Sequence, residues 1–204
     1  MRARLPNHAK SALSAFFGRD VMKEEFCSAI GSHGLILEGP SGSGKSHALR
    51  SLQQEGACGA SFLDVERLQS LTPGACAKAI LDFFVLHASS TEESHLYLLD
   101  NLDRLEDVQN VDIAVSSLVE ACRGLVGTQS YIISTCTLTR KIPDELKSSV
   151  WLGRSLPLPT LDAKGREEVL RSLLCDDSIA IRGRPRQERG EEDDTKTPLE
   201  IMQG

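Results

Sequence analysis

Residues 39–46, "GPSGSGKS", decide the fold together with the segments on either side of them. The preceding run "GLILE" (34–38) is short, apolar and bounded by glycine, which predicts a buried strand. The following stretch "KSHALRSLQQE" (45–55) predicts a helix with Ala48, Leu49 and Leu52 facing inward. The sequence therefore predicts a strand, a glycine-rich turn and a helix in direct succession.

Four positions of this turn match the phosphate-binding pattern G-x-x-x-x-G-K-[ST], namely Gly39, Gly44, Lys45 and Ser46. Glycines let the main chain turn so that successive N–H groups point inward, and the following helix adds its free N–H donors. The pattern places Lys45 on the β- and γ-phosphates of a nucleotide and the Ser46 hydroxyl on Mg²⁺. We predict that nine residues bind the nucleotide: Gly39, Pro40, Ser41, Gly42, Ser43, Gly44, Lys45, Ser46 and His47.

A second metal ligand is predicted at the end of a later strand. Residues 95–100, "HLYLLD", run through apolar and aromatic side chains into Asp100. Ligands of parallel sheets lie beyond the carboxyl ends of the strands, so Asp100 and the turn at 39–46 should meet there. We expect Asp100 to hold Mg²⁺ through water, with Ser46 as the other protein group.

Strand and helix patterns alternate along most of the chain. Further strands are predicted at 60–65, at 130–135 and, cut short by two prolines, within 150–159; further helices are predicted at 20–30, 72–88, 112–125, 144–149 and 162–174. The alternation indicates an α/β fold in three layers, with a mostly parallel sheet covered on both faces. The predicted domains are a flexible N-terminus (1–15), a core (16–175) and a charged, disordered tail (176–204).

Composition narrows the classes of partner. The chain has 204 residues and a net charge of −6, and this acidic balance disfavours a nucleic-acid partner. Its six cysteines include no C-x-x-C pair and do not have the spacing of a zinc site. Scattered single cysteines are typical of proteins in a reducing compartment. No apolar stretch approaches the length of a transmembrane segment. The first twenty residues carry no acid before Asp20, so organelle targeting stays open beside the cytoplasmic localisation that we expect.

The motifs and their order resemble the AAA+ ATPases over roughly residues 16–174. "FFGRD" (16–20) is similar to the segment that leads into an AAA+ module, and "LYLLDNLDRL" (96–105) to the metal-binding strand and its loop. "YIISTCTLTRKIPDELKSS" (131–149) resembles the strand with the sensor-1 polar residue, and "LPLPTLDAKGREEVLRSLL" (156–174) resembles the end of the large subdomain. The resemblance implies ATP and Mg²⁺ as cofactors and the P-loop NTPase fold of an AAA+ large subdomain.

Two positions depart from the AAA+ pattern. Asn101 stands where these enzymes have a glutamate that polarises the attacking water. An amide holds water but accepts no proton, and a general base contributes typically about 10²–10⁴-fold to the rate. The sensor-1 position falls near Cys136 or Thr137, and of the two Thr137 is the better hydrogen-bond donor to a γ-phosphate. The resemblance makes four residues candidates for catalysis: Lys45, Asp100, Asn101 and Thr137.

Two further parts of an AAA+ module have weak or missing counterparts. Arg154 is the one arginine near the expected position of a trans-acting finger, although we prefer to interpret it as a solvent-exposed or strand-edge arginine. No segment after Leu174 resembles the helical lid, so we expect the lid to be absent.

The function predicted from this resemblance is that of an ATP-binding AAA-type ATPase core in protein-complex remodelling, with hydrolysis weakened by Asn101. "FFGRD" and "LLDNLD" are most similar to the first ATPase domain of peroxisomal peroxin AAA proteins, which implies peroxisomal protein import and a place at the peroxisome surface. The implied partners are other AAA subunits in a homo- or hetero-oligomeric ring and a protein client.

Three alternatives stay open. The first is a nucleotide-binding, hydrolysis-poor assembly subunit, which Asn101 favours. The second is an initiator-like, DNA-associated AAA+ protein, which the acidic balance disfavours. The third is a small-molecule P-loop kinase, which would need an arginine-rich lid, whereas the clustered arginines here lie in the tail.

Overall fold

The computed structural model describes residues 34–55, 59–85, 95–128, 130–149 and 151–175. Its strands and helices are β1 (Gly34–Glu38), α1 (Lys45–Glu55), β2 (Ala60–Asp64), α2 (Pro73–Val85), β3 (Leu96–Asp100), α3 (Val111–Gly124), β4 (Tyr131–Cys136), α4 (Asp144–Lys147), β5 (Ser155–Pro157) and α5 (Ala163–Cys175). Three 3₁₀ turns lie at Val65–Leu68, Leu102–Asp107 and Thr139–Lys141. The helix predicted at 20–30 and the segments 1–15 and 176–204 lie outside the described residues.

The five strands form one parallel sheet in the order β2-β3-β4-β1-β5. Because the strands are parallel, their carboxyl ends meet at one edge of the sheet. The register places Asp64 beside Asp100 and Glu38 beside Cys136 at that edge. The predicted α/β fold with a parallel sheet is confirmed.

The core lies on both faces of the sheet, as its continuous apolar strands require. Side chains alternate along β1: Ile36 packs in the cluster that contains the inward residues of α2 and α3, and Leu35 and Leu37 pack with α1. The predicted inward residues of α1, Ala48, Leu49 and Leu52, are buried in that second cluster. The three predicted layers are therefore present.

Element ends differ from the predictions by a few residues, with local causes. The strand predicted at 60–65 ends at Asp64, whose side chain accepts a hydrogen bond from the Glu66 N–H and starts a 3₁₀ turn. The last strand is only Ser155–Pro157. Proline has no N–H to donate to a ladder, and β5 lies at the edge of the sheet, where this is tolerated. Within the described residues, no helix has both the length and the apolar character that crossing a bilayer requires.

Candidate functional site

The glycine-rich turn between β1 and α1 depends on its glycines for two different reasons. Gly42 and Gly44 have φ angles of 79° and 90°, a region in which side chains with a Cβ are strained. Gly39 instead lies against the end of β5, and a Cβ there would come within 2.2 Å of the Leu158 carbonyl oxygen. Positive φ and close approach therefore explain the three glycines of "GPSGSG" separately.

Lys45 points back into the turn. Its Nζ donates to the carbonyl oxygens of Gly39 at 2.6 Å and Pro40 at 2.9 Å, and only 7% of the residue is exposed. Burial lowers the pKa of the Lys45 ammonium, while the negative charges of Asp103 and Asp100 act in the opposite direction. A buried cation among main-chain groups is well placed to bind an anion.

The other predicted binding residues divide by exposure. Gly39 and Ser43 are buried and shape the turn, and Ser46 is half-buried. The exposed members are Pro40, Ser41, Gly42, Gly44 and His47. The binding role of these residues stays a prediction.

Ser46 and Asp100 meet, as the sequence predicts. The Ser46 hydroxyl donates to Asp100 Oδ1 at 3.0 Å across 54 positions of sequence, and Asp100 is buried at the end of β3. A hydroxyl and a carboxylate are hard oxygen donors of the kind that Mg²⁺ prefers. The two residues thus fit the metal role that the sequence assigns to them.

Sequence reasoning missed Thr135, which holds Asp100 in place. Its Oγ1 donates to Asp100 Oδ1 at 2.5 Å and accepts from the Asn101 N–H at 2.9 Å, and the residue has no exposed surface. The contact depends on the strand order, because β4 lies beside β3 and pairs Ser134 with Leu99, which sets Thr135 next to Asp100. The sequence itself offers one indication of this role, a polar residue near the carboxyl end of a strand that is otherwise mostly apolar.

We expect Thr135→Val to lower the free energy of unfolding by about 1–3 kcal/mol, because it removes the acceptor of the Asn101 N–H and one of the two donors to the buried Asp100 Oδ1. Urea denaturation of the two proteins measures the difference. The matched control is Ser134→Ala on the same strand. Ser134 is equally buried, and its hydroxyl has no hydrogen-bond partner within the described part of the chain. Equal losses in both variants would contradict the role given to Thr135.

Asn101 adopts an unusual backbone conformation and bonds to a neighbouring strand. Its φ of 59° and ψ of 47° lie in the left-handed helical region, which asparagine tolerates better than most residues. Its Nδ2 donates to Asp64 Oδ1 at 3.3 Å. Asp64, which sequence reasoning also missed, ends β2 and lies beside Asp100 in the register. The site therefore has a carboxylate next to the amide that departs from the AAA+ pattern.

The two sensor-1 candidates differ in their surroundings. Cys136 is fully buried, and burial, together with the charges of Glu38 and Asp103, raises the pKa of its thiol to about 12. Thr137 is exposed, and its N–H donates to Asp103 Oδ2 at 3.0 Å. Thr137 also lines a hollow of about 390 Å³ beside the turn, with Gly39 and Pro40. The catalytic role of Thr137 stays a prediction.

Arg154 lies directly before β5, and its side chain is exposed. Its carbonyl oxygen accepts a hydrogen bond of 2.8 Å from the Ile36 N–H. The main chain of Arg154 thus pairs with β1, in line with the strand-edge role.

Comparison with known proteins identifies a family for this chain. None of the curated proteins matches the chain. A family model described as "ATPase family associated with various cellular activities (AAA)" matches residues 35–157, from the first strand to the last. The match includes the glycine-rich turn and the ends of all five strands.

Proposed function

Because this chain belongs to the AAA family of ATPases, we propose that it binds Mg·ATP in the turn at residues 39–46 and hydrolyses it. The observation that carries the proposal is the contact between Ser46 and Asp100, which brings a hydroxyl and a carboxylate together beside the buried Lys45. When bound, Mg²⁺ would neutralise charge on the phosphates. Lys45 would bind the β- and γ-phosphates, and the N–H groups of the turn would orient them.

The proposal predicts that ATP binding depends on Mg²⁺ through Asp100. In the wild-type protein, ATP at 100 times its Kd should raise the melting temperature by about 5–10 °C with Mg²⁺. EDTA should reduce this rise. In Asp100→Asn, the difference between Mg²⁺ and EDTA should largely disappear, because the amide keeps its acceptor oxygen but loses the charge.

Asp82→Asn is the matched control, because Asp82 is an exposed carboxylate on α2, away from the edge of the sheet that holds Ser46 and Asp100. It should respond to Mg²⁺ like the wild-type protein. An undiminished Mg²⁺ effect in Asp100→Asn would refute the metal role of Asp100.

We further propose that the chain works with other AAA subunits, since AAA domains typically assemble into rings, and that its client is a protein complex. The finer proposal of peroxisomal import, at the peroxisome surface, is supported only by the similarity of "FFGRD" and "LLDNLD" to the first ATPase domain of peroxisomal peroxin AAA proteins.

Purification from the source in the presence of ATP tests the proposal that the chain works with other AAA subunits. A larger AAA subunit should accompany the chain, and its absence would count against the ring.

A second candidate is a nucleotide-dependent assembly subunit that barely hydrolyses ATP. The observation in its favour is Asn101, whose side-chain amide donates to Asp64 and accepts no proton. A wild-type protein whose melting temperature rises with ATP, but whose rate of ATP hydrolysis does not exceed the background rate, would favour this candidate over the ATPase.

A further inference from the structure

We propose that Asp64 is the catalytic base that takes the proton of the attacking water, and that Asn101 positions it. In this arrangement the carboxylate lies at the end of β2 and the amide follows β3. This inference rests on the proposed ATP hydrolysis.

The first support is placement. Asp64 is the last residue of β2 and the register partner of Asp100 at the carboxyl edge of the sheet. Asp100 contacts Ser46, the first residue after the lysine of the turn. Asp64 is thus one strand away from this pair, at the same carboxyl edge of the sheet, beyond which the ligands of parallel sheets bind.

The second support is a continuous chain of hydrogen bonds. It runs from Ser46 to Asp100, from Asp100 to Thr135, from Thr135 to the Asn101 N–H, and from the Asn101 side chain to Asp64. These hydrogen bonds link the pair Ser46 and Asp100 to the second carboxylate, Asp64. Asn101 is in the left-handed conformation while its main-chain N–H donates to Thr135 and its side-chain amide donates to Asp64.

The third support is the state of the Asp64 carboxylate itself. It accepts from Asn101 Nδ2 and from the Glu66 N–H, and both bonds go to Oδ1, so neither uses Oδ2. The residue is only half-buried, which gives water access to the carboxylate. A general base needs such an available oxygen within reach of water.

Other carboxylates at this edge are less suitable. Asp103 is buried and accepts from a main-chain N–H of the turn after β4. Glu38 accepts two hydrogen bonds from one threonine of that turn, and Glu106 forms an ion pair with Lys141. Within the described ranges, none of the three joins the hydrogen-bond chain that ends at Asp64.

The water oxygen forms a bond to the γ-phosphorus, and the bond from that phosphorus to the β,γ-bridging oxygen breaks. The electron pair of the broken bond stays on the bridging oxygen of ADP. One proton of the water passes to the Asp64 carboxylate and is later released to solvent, so the products are ADP, inorganic phosphate and a proton.

The test compares Asp64→Asn, the exchanged pair Asp64→Asn with Asn101→Asp, and the control Asp82→Asn. Asparagine at 64 keeps an acceptor for Glu66 and removes only the charge, and aspartate tolerates the left-handed position 101. ATP turnover at saturating Mg·ATP and ATP-induced thermal stabilisation are measured for each protein. Turnover of Asp64→Asn should fall about 10²-fold or more, and that of the control should not change.

In Asp64→Asn the stabilisation by ATP should stay at the wild-type level, because the change removes proton transfer and not binding. The exchanged pair should recover part of the lost turnover, since it restores one carboxylate and one amide at the same two positions. Turnover in Asp64→Asn equal to a measurable wild-type turnover would overturn the assignment. Loss of ATP stabilisation in Asp64→Asn, or no recovery in the exchanged pair, would also overturn it. Failure of the proposed function would show differently, as wild-type protein that ATP does not stabilise or that turns ATP over only at the background rate.

Discussion

Replacing Lys45 by alanine should reduce ATP affinity by about 100-fold. A hydrogen-bonded charge contributes up to about 3 kcal/mol, and this ammonium is a buried cation inside the turn at residues 39–46. At the ATP concentration that stabilises the wild-type protein by about 5–10 °C, the variant should gain about 1 °C. Thermal unfolding with and without Mg·ATP measures both shifts.

The control for this variant is Lys78→Ala, which removes an exposed lysine from α2. It should keep the full stabilisation by ATP. A Lys45→Ala protein that ATP stabilises as strongly as the wild-type protein would place the nucleotide elsewhere and would remove the basis of the proposed function.

Replacing Gly39 by alanine should destabilise the fold by about 3 kcal/mol, at the upper end of the usual range for overpacking. The new Cβ would lie 2.2 Å from the Leu158 carbonyl oxygen and 2.9 Å from Ser43 Oγ. Leu158 cannot withdraw easily, because its N–H donates to the Glu38 carbonyl oxygen at 2.5 Å. The melting temperature should fall by about 6–12 °C.

Gly74→Ala is the matched control for this change. Gly74 lies in the first turn of α2 with open space around its Cβ position, so alanine there should leave stability equal or raise it by up to about 1 kcal/mol. A Gly39→Ala protein as stable as the wild-type protein would mean that the close approach of β5 is not required for the fold.

The parts of the site that local patterns encode were predictable from the sequence. The turn at 39–46 has a fixed spacing of glycine, lysine and serine, and Asp100 follows an apolar run, so each is visible in a short window. Their meeting followed from a general rule for parallel sheets, and the contact between Ser46 and Asp100 confirms it.

The supporting residues were not predictable in the same way, because their roles depend on which strands are neighbours. Thr135 reaches Asp100 only because β4 lies beside β3, and Asp64 reaches Asn101 only because β2 lies on the other side. Neither neighbour relation can be read from hydrophobic periodicity. The left-handed conformation of Asn101 is also invisible in the sequence, where the residue stands out only as a departure from the AAA+ pattern.

The two bonds from Lys45 Nζ to the carbonyl oxygens of Gly39 and Pro40 also bear on how a ligand arrives. These two bonds tie the Lys45 side chain to the first residues of the turn and hold the turn in shape. Under the proposed function, Lys45 Nζ would exchange these carbonyl acceptors for phosphate oxygens, and a turn already held in shape would lose less conformational entropy when the triphosphate binds.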